Sequence, residues 1–246
     1  MSAQSLLYQK QVQICKYVHD QMVNNINVMI PTVGAVIEDE DNYWNLVSIL
    51  TAMPVDCMCQ LEDIGIDFTT INEYDLFVLF FPILQELDTK LIFGDLDLKR
   101  FKKSIDEEDG SVAFIDTEQD IIFDRDVHRK VAWVLRNLHH LEKNKRRPAN
   151  EEAKQYMLKR AREKMGRRKR QHIESQLEPL IVAMVNAEQY KYDFEGTKEL
   201  SIYQFNESVR QIIKKVDYDN RMYGVYTGTL NVKDLSHEDL NWLTHK

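Results

Sequence analysis

Residues 91–123, LIFGDLDLKRFKKSIDEEDGSVAFIDTEQDIIF, decide the fold class. Apolar residues recur two apart in short runs: Leu91 and Phe93, Leu96 and Leu98, Val112 and Phe114, Ile121 and Phe123. That is the rhythm of a strand with one buried face. Asp106-Glu107-Glu108-Asp109-Gly110 and Asp116-Thr117-Glu118-Gln119-Asp120 fall between the runs as turns. The stretch predicts two or three antiparallel strands, which make an otherwise helical chain α+β.

Helical periods flank it on both sides. Asp124 starts a helix that carries Val127, Val131, Val134, Leu135 and Leu138 and ends near Glu142. Upstream, Asn72 caps a helix over Glu73 to Leu87, with Pro82 predicting a kink or an early end. A helix from Tyr43 to Met53, with Trp44, Val47, Leu50 and Ala52, stops at Pro54 and follows an acidic loop at 38–42. Tyr8, Val12, Cys15, His19, Met22 and Ile26 recur at three and four, and predict a first helix.

Downstream the charge inverts. Residues 1–142 hold 11 basic and 25 acidic groups, residues 143–170 thirteen basic and three acidic, and residues 171–246 eight and twelve. The total of −8 therefore hides a local +10, and local potential decides what a surface attracts. Asn150 caps a basic helix from Glu151 to about Arg170, in which Tyr156, Met157, Ala161 and Met165 are too few to bury a wide face. This predicts a helix that is solvated or docked on something acidic. After Pro179, LIVAMV marks a core helix, and residues 201–226 form another with Ile202, Phe205, Val209, Ile212 and Ile213 as its buried stripe. Gly228 stops that helix, and Ser236 with Asp239 caps a last short one. The expected organisation is an acidic α+β domain (1–142), a basic helix (143–170) and a helical C-terminal domain (171–246), predominantly α-helical throughout.

Composition excludes several classes. The longest apolar run, Leu76 to Leu84, is about half the roughly 20 residues a membrane span needs. MSAQSLLYQKQ has no secretory pattern, and three Cys argue for a reducing compartment. Phosphate-loop, dinucleotide, HExxH and GxSxG motifs are absent, so an enzyme and a bound cofactor are not expected. Cys15, His19, Cys57 and Cys59 form a Cys₃His zinc set on paper, but the Cys-x-Cys spacing favours core packing, and no metal is expected. Glu152-Ala-Lys154 matches the tail of a nuclease pattern on a helix instead of a strand, and His139-His140 has no nucleophile at a useful spacing. The acidic runs at 38–41 and 106–109 lack the alternation of a calcium loop. Tyr43, Trp44, Tyr223 and Trp242 are candidate partner anchors, though a core position suits each better.

The residues expected to meet a partner electrostatically are Lys145, Arg146, Arg147, Lys159, Arg160, Arg162, Lys164, Arg167, Arg168, Lys169 and Arg170. They can neutralise phosphates, an acidic protein surface, or the chain's own acidic half. For nucleic acid, Tyr156 alone offers a stacking ring.

Four stretches, IPTVGAVIEDEDNYWNLVSIL (30–50), QLEDIGIDFTTINEYDLFVLF (60–80), IVAMVNAEQYKYDFEG (181–196) and IYQFNESVRQIIKKVDYDNRMYGVYTGTLNVKDLSHEDLNWL (202–243), carry a resemblance. In overall texture they are similar to tail-morphogenesis proteins of phages infecting Gram-positive bacteria, among them tail assembly chaperones. The resemblance implies a non-enzymatic protein of the host cytoplasm, or of the virion, that binds tape-measure or tail-tube subunits. It brings no active-site residues. Nucleic-acid binding through residues 143–170 is the alternative expectation.

Overall fold

The computed structural model describes residues 6–18, 21–107, 110–168, 175–236 and 239–243. Strands β1 (Gln11–Val18) and β2 (Gln21–Met29) pair antiparallel, with Val12 opposite Val28 and Ile14 opposite Ile26. The expected helix from Tyr8 to Ile26 therefore does not form. A two-residue period wins instead: Val12 and Ile14 on β1, Ile26 and Val28 on β2, and Ile30 just beyond β2 are buried. Asn24, Asn25 and Asn27 are poor helix formers, and β-branched residues pack well on a half-buried sheet face.

Two helices follow, α1 (Val33–Glu38) and α2 (Glu40–Thr51). The acidic segment at 38–42, expected as a loop, is thus mostly helical; Glu40 and Asp41 occupy the first turn of α2, where a carboxylate suits the helix dipole. A 3-10 turn at Pro54–Cys57 leads into α3 (Met58–Asp63). The Asn72 side chain accepts from the amides of Tyr74 and Asp75 and begins α4 (Glu73–Glu86), which continues past Pro82.

The strands expected from residues 91–123 appear in their second half only. Leu91 and Phe93 lie in the short helix α5 (Lys90–Phe93), and Leu98 in a 3-10 turn, Leu98–Arg100. Asp88 and Asp97 accept from the amides of Lys90 and Lys99, each at 3.0 Å, and close local turns that compete with a ladder. Then β3 (Lys102–Ile105), β4 (Val112–Asp116) and β5 (Ile121–Phe123) form an antiparallel sheet in that order. Phe114 and Phe123 point inward; Phe114 stacks on Phe81 at 3.6 Å between ring centroids and Phe123 on Phe77 at 5.1 Å. These stacked rings pack the sheet against α4.

Asp124 caps α6 (Arg125–Leu138), whose Val127, Val131, Val134, Leu135 and Leu138 are all buried as the spacing predicts. After α6 come α7 (Glu151–Arg168), α8 (Leu177–Val185), α9 (Phe194–Glu199) and α10 (Ile202–Tyr226). The architecture is predominantly helical α+β, with two small antiparallel sheets among the described residues.

The exit of β2 is stitched to the entry of α10. Val33 N–H donates to Leu200 O and Ile202 N–H to Pro31 O, both at 2.8 Å. One core cluster consequently reaches from Val12 to Phe205. On α10 only Ile202 and Phe205 are buried; Ile213, expected in the buried stripe, is 62% exposed, because it lies about 100° round the helix from Ile212, which still packs against the core. Gly228 follows with φ of 77°, a left-handed position that suits glycine. Ser236 and Asp239 exchange the expected capping hydrogen bonds, but the described residues beyond them make turns. No helix among the described residues is long and apolar enough to cross a membrane.

Candidate functional site

The basic helix lies on the chain's own acidic segment. Residues 56–73 carry Asp56, Glu62, Asp63, Asp67 and Glu73, and α7 with the loop before it meets each of them. Lys154 Nζ is 2.7 Å from Asp67 Oδ2, and Arg162 reaches Glu62 at 2.9 Å and Asp63 at 2.8 Å. Ahead of the helix, Lys143 pairs with Glu73 at 2.7 Å and Asn144 donates to Asp56 at 2.7 Å. The hydrogen bond from Lys154, followed by those from Thr69, holds the Asp67 carboxyl down at about 2. Burial acts to raise Glu73, but hydrogen bonds from Lys143 and Arg136 outweigh it and hold the group below its ordinary value.

Charge alone does not seat the helix. Leu158, buried to 3% exposure, enters a second core cluster with Val55, Cys59, Leu61, Phe68 and Leu76. Met157, Ala161 and Met165 pack against the same cluster. The spacing 154, 158, 161, 162 and 165 puts the docked side chains on one face of α7. Of the two expectations for this helix, solvated or docked on acid, its inner face follows the second.

The outer face is different. Lys145, Arg146, Arg147, Lys159, Arg160, Arg162, Lys164 and Arg167 are all exposed. Arg162 is held by Glu62 and Asp63, and Arg160 has Glu163 at 3.9 Å along its own helix. Lys145, Arg146, Arg147, Lys159, Lys164 and Arg167 make no ion pair among the described residues. The first three line a cleft of about 850 Å³ between the start of α7 and the start of α4. Arg160, Lys164 and Arg167 rim a groove of about 920 Å³ floored in part by Met58, Met157 and Met165. Arg168 ends α7, and Lys169 and Arg170 lie outside the described residues. The site thus offers cations beside flexible apolar side chains, a surface suited to an anionic partner with an apolar stripe.

The remaining candidates are held by the fold. Cys15 lies on β1, not on a helix, and Cys57 and Cys59 belong to the second cluster; His19 is outside the described residues. Burial, then the Asp56 charge, pushes the Cys57 thiol up to about 11. No group of three or more His, Cys, Asp or Glu among the described residues can hold a metal ion. Lys154 of the Glu-Ala-Lys triplet is the docking lysine described above. His139 is core: one ring nitrogen lies 2.8 Å from the Tyr43 hydroxyl, and burial first lowers its pKa to about 4. Tyr43 is fully buried, Trp44 and Trp242 are half-buried, and Tyr223 is 72% exposed.

The residues that organise the site but escaped the sequence reading are Leu158, Lys154 and the acids opposite them. The one available signal was Leu158 itself, an aliphatic residue at helical spacing from Ala161 and Met165 in a charged stretch.

Residues 168–246 match the YomV second domain, a phage-associated domain family. The match begins at the end of α7 and takes in α8 to α10. No curated protein and no solved structure matches the chain.

Proposed function

We propose that this chain is a non-enzymatic phage interaction protein that holds an acidic protein partner on the outer face of α7. The observation that carries the proposal is the division of the basic segment: Lys154 and Arg162 are matched by acids of residues 62–67, while six exposed cations make no ion pair among the described residues. A solvated face needs no Met-floored groove beside its cations, whereas a protein partner with acidic and apolar side chains uses both. The match over residues 168–246 supports a phage setting, and the texture of the chain favours a tail subunit, of the tape-measure or tail-tube kind, as that partner. The role is then chaperone-like assembly in the host cytoplasm. The same reading takes 171–246 as the C-terminal domain, supported by the match beginning at residue 168.

Nucleic acid is the second reading, favoured by the exposed ridge Arg160, Lys164 and Arg167 at i, i+4 and i+7. Glu62, Asp63 and Glu163 beside that ridge, and the net charge of −8, weigh against it.

Co-expression with candidate tail subunits decides between them. Wild type is expected to co-purify with a subunit and raise its solubility, and the Arg160→Glu/Lys164→Glu/Arg167→Glu variant is expected not to. Failure of the wild type to co-purify, together with duplex or single-strand affinity that falls steeply with salt, overturns the protein reading in favour of nucleic acid.

A further inference from the structure

The cleft between the start of α7 and the start of α4 carries charge that the fold itself leaves unused. Lys145, Arg146 and Arg147 stand on residues 141–148, which take no regular secondary structure, and all three are exposed. That stretch is pinned on both sides of the triplet. Before it, Lys143 pairs with Glu73 and Asn144 donates to Asp56. After it, Pro148 is half-buried, and Asn150 accepts from Ala153 N–H at 2.8 Å. The residue before a proline is confined to extended backbone, which restricts Arg147 as well. Three cations are thus held at a cavity of about 850 Å³ with little backbone left to order on binding.

Acids line the same cleft, but each already has a cation from elsewhere. Asp67 is 2.7 Å from Lys154, Glu73 is held by Arg136 and Lys143, and Glu151 lies 3.8 Å from Lys154. The three charges of the triplet are therefore surplus. The wall behind them is apolar: Pro54, Val55 and Phe68 are buried, and Met53 and Ile71 are half-buried.

We infer that this cleft takes an acidic peptide segment of the partner, separate from the one on α7, whose apolar side chain enters the hollow while its carboxylates meet Lys145, Arg146 and Arg147. The inference rests on the reading of that partner as an acidic protein. Charge complementarity over an apolar wall selects a peptide. A nucleic-acid backbone brings phosphates but no aliphatic group for Met53 and Ile71, and it meets Asp67, Glu73 and Glu151 on the same walls. Nor does the cleft offer an exposed ring on which a base could stack. Val55, Asn144 and Arg146 also line the Met-floored groove beside Arg160, Lys164 and Arg167. The two hollows meet there, so one chain can occupy both, and each contact raises the effective concentration for the other.

Fluorescence anisotropy of the full chain tests this with a labelled synthetic peptide of glutamates around a central leucine–phenylalanine pair. The wild type is expected to bind it, more weakly as salt rises. Lys145→Glu/Arg146→Glu/Arg147→Glu is expected to lower the affinity at least about tenfold. Lys145→Gln/Arg146→Gln/Arg147→Gln, which sets no new charge beside Glu73, is expected to lower it at least about threefold. Arg160→Glu/Lys164→Glu/Arg167→Glu is expected to leave this short peptide within about threefold of wild type. Serines in place of the leucine–phenylalanine pair should weaken binding about fivefold or more.

No binding up to millimolar peptide, binding indifferent to both triplet variants, or a single-stranded oligonucleotide held more tightly than the peptide overturns the inference. Co-expression separates its failure from that of the outer-face reading. A tail subunit lost by the α7 variant but fully retained by Lys145→Glu/Arg146→Glu/Arg147→Glu overturns the cleft alone. A wild type that retains no subunit, while the peptide still needs the triplet, overturns the outer-face reading and leaves the cleft as an acidic-peptide site.

Discussion

The carboxylate of Glu40 accepts the main-chain N–H of Leu177 at 3.0 Å, across 137 residues of chain. It also accepts from Gln176 N–H at 2.7 Å and from the Ser175 hydroxyl. A residue in the first turn of α2 thereby does for α8 what a local cap does for most helices, satisfying amides that have no partner within their own helix. Burial acts to raise the Glu40 pKa, but these hydrogen bonds outweigh it and hold it below 4.5.

Glu40→Gln is expected to lower stability by about 1–2 kcal/mol near neutral pH, the usual cost of losing a charged cap. The sign with pH follows from the depressed folded value: the contribution is present above 4.5 and disappears as pH falls through the lower folded pKa. Urea unfolding of both proteins at neutral and acidic pH checks this, since the gap between them should close in acid.

Leu158→Ala is expected to cost about 2–5 kcal/mol locally, as a buried leucine in a small cluster. Because Leu158 is the one buried side chain among the described residues of α7, the variant should loosen that helix first. Amide exchange along residues 151–168 should accelerate while the amides of α6 stay protected. Uniform acceleration through the whole chain would show that the two clusters melt together.

Arg160→Glu/Lys164→Glu/Arg167→Glu is expected to leave stability within about 0.5 kcal/mol, because these side chains are exposed and hold no acid outside their own helix. Arg162→Glu, which loses Glu62 and Asp63, is expected to cost up to about 1 kcal/mol. Thermal melts of the two variants side by side separate the docked face from the free one.

Acid should begin to destabilise this protein before its carboxylates titrate. Burial leads the lowering of both His128 and His139 from 6.5 to about 4, so the unfolded chain binds their protons first. Stability therefore falls as pH drops from 6.5 towards 4. Melting temperatures taken at closely spaced pH values should decline through that window, and a flat profile down to the carboxylate range contradicts the assignment.

Local chemistry made much of this legible in advance. Asn72, Asp124 and Asn150 each cap the helix that their sequence position announces, and the strands of Val112–Asp116 and Ile121–Phe123 follow their alternation. Periodicity failed between Tyr8 and Val28, where a helical spacing through Val12, Cys15, Met22 and Ile26 competes with a two-residue spacing through Val12, Ile14, Ile26 and Val28, and only the tertiary core chooses between them. At the basic helix, charge count announced an electrostatic surface but not its division. Which cations face inward depends on where Asp67, Glu62 and Asp63 arrive in space, and that is a product of the fold.

The hydrogen bonds from Val33 to Leu200 and from Ile202 to Pro31 also set a timetable for the chain during translation. The N-terminal hairpin and α1 leave the ribosome first, yet the residues that close their side of the core, Ile202 and Phe205 among them, emerge about 170 residues later. At roughly 5–20 residues per second that wait lasts on the order of ten seconds or more. Until residues 151–168 emerge, which takes up most of that wait, the acidic first half is also without the basic helix that neutralises residues 56–73. Charge repulsion then keeps the unfinished, partly apolar intermediate dispersed until α7 and α10 arrive to complete it.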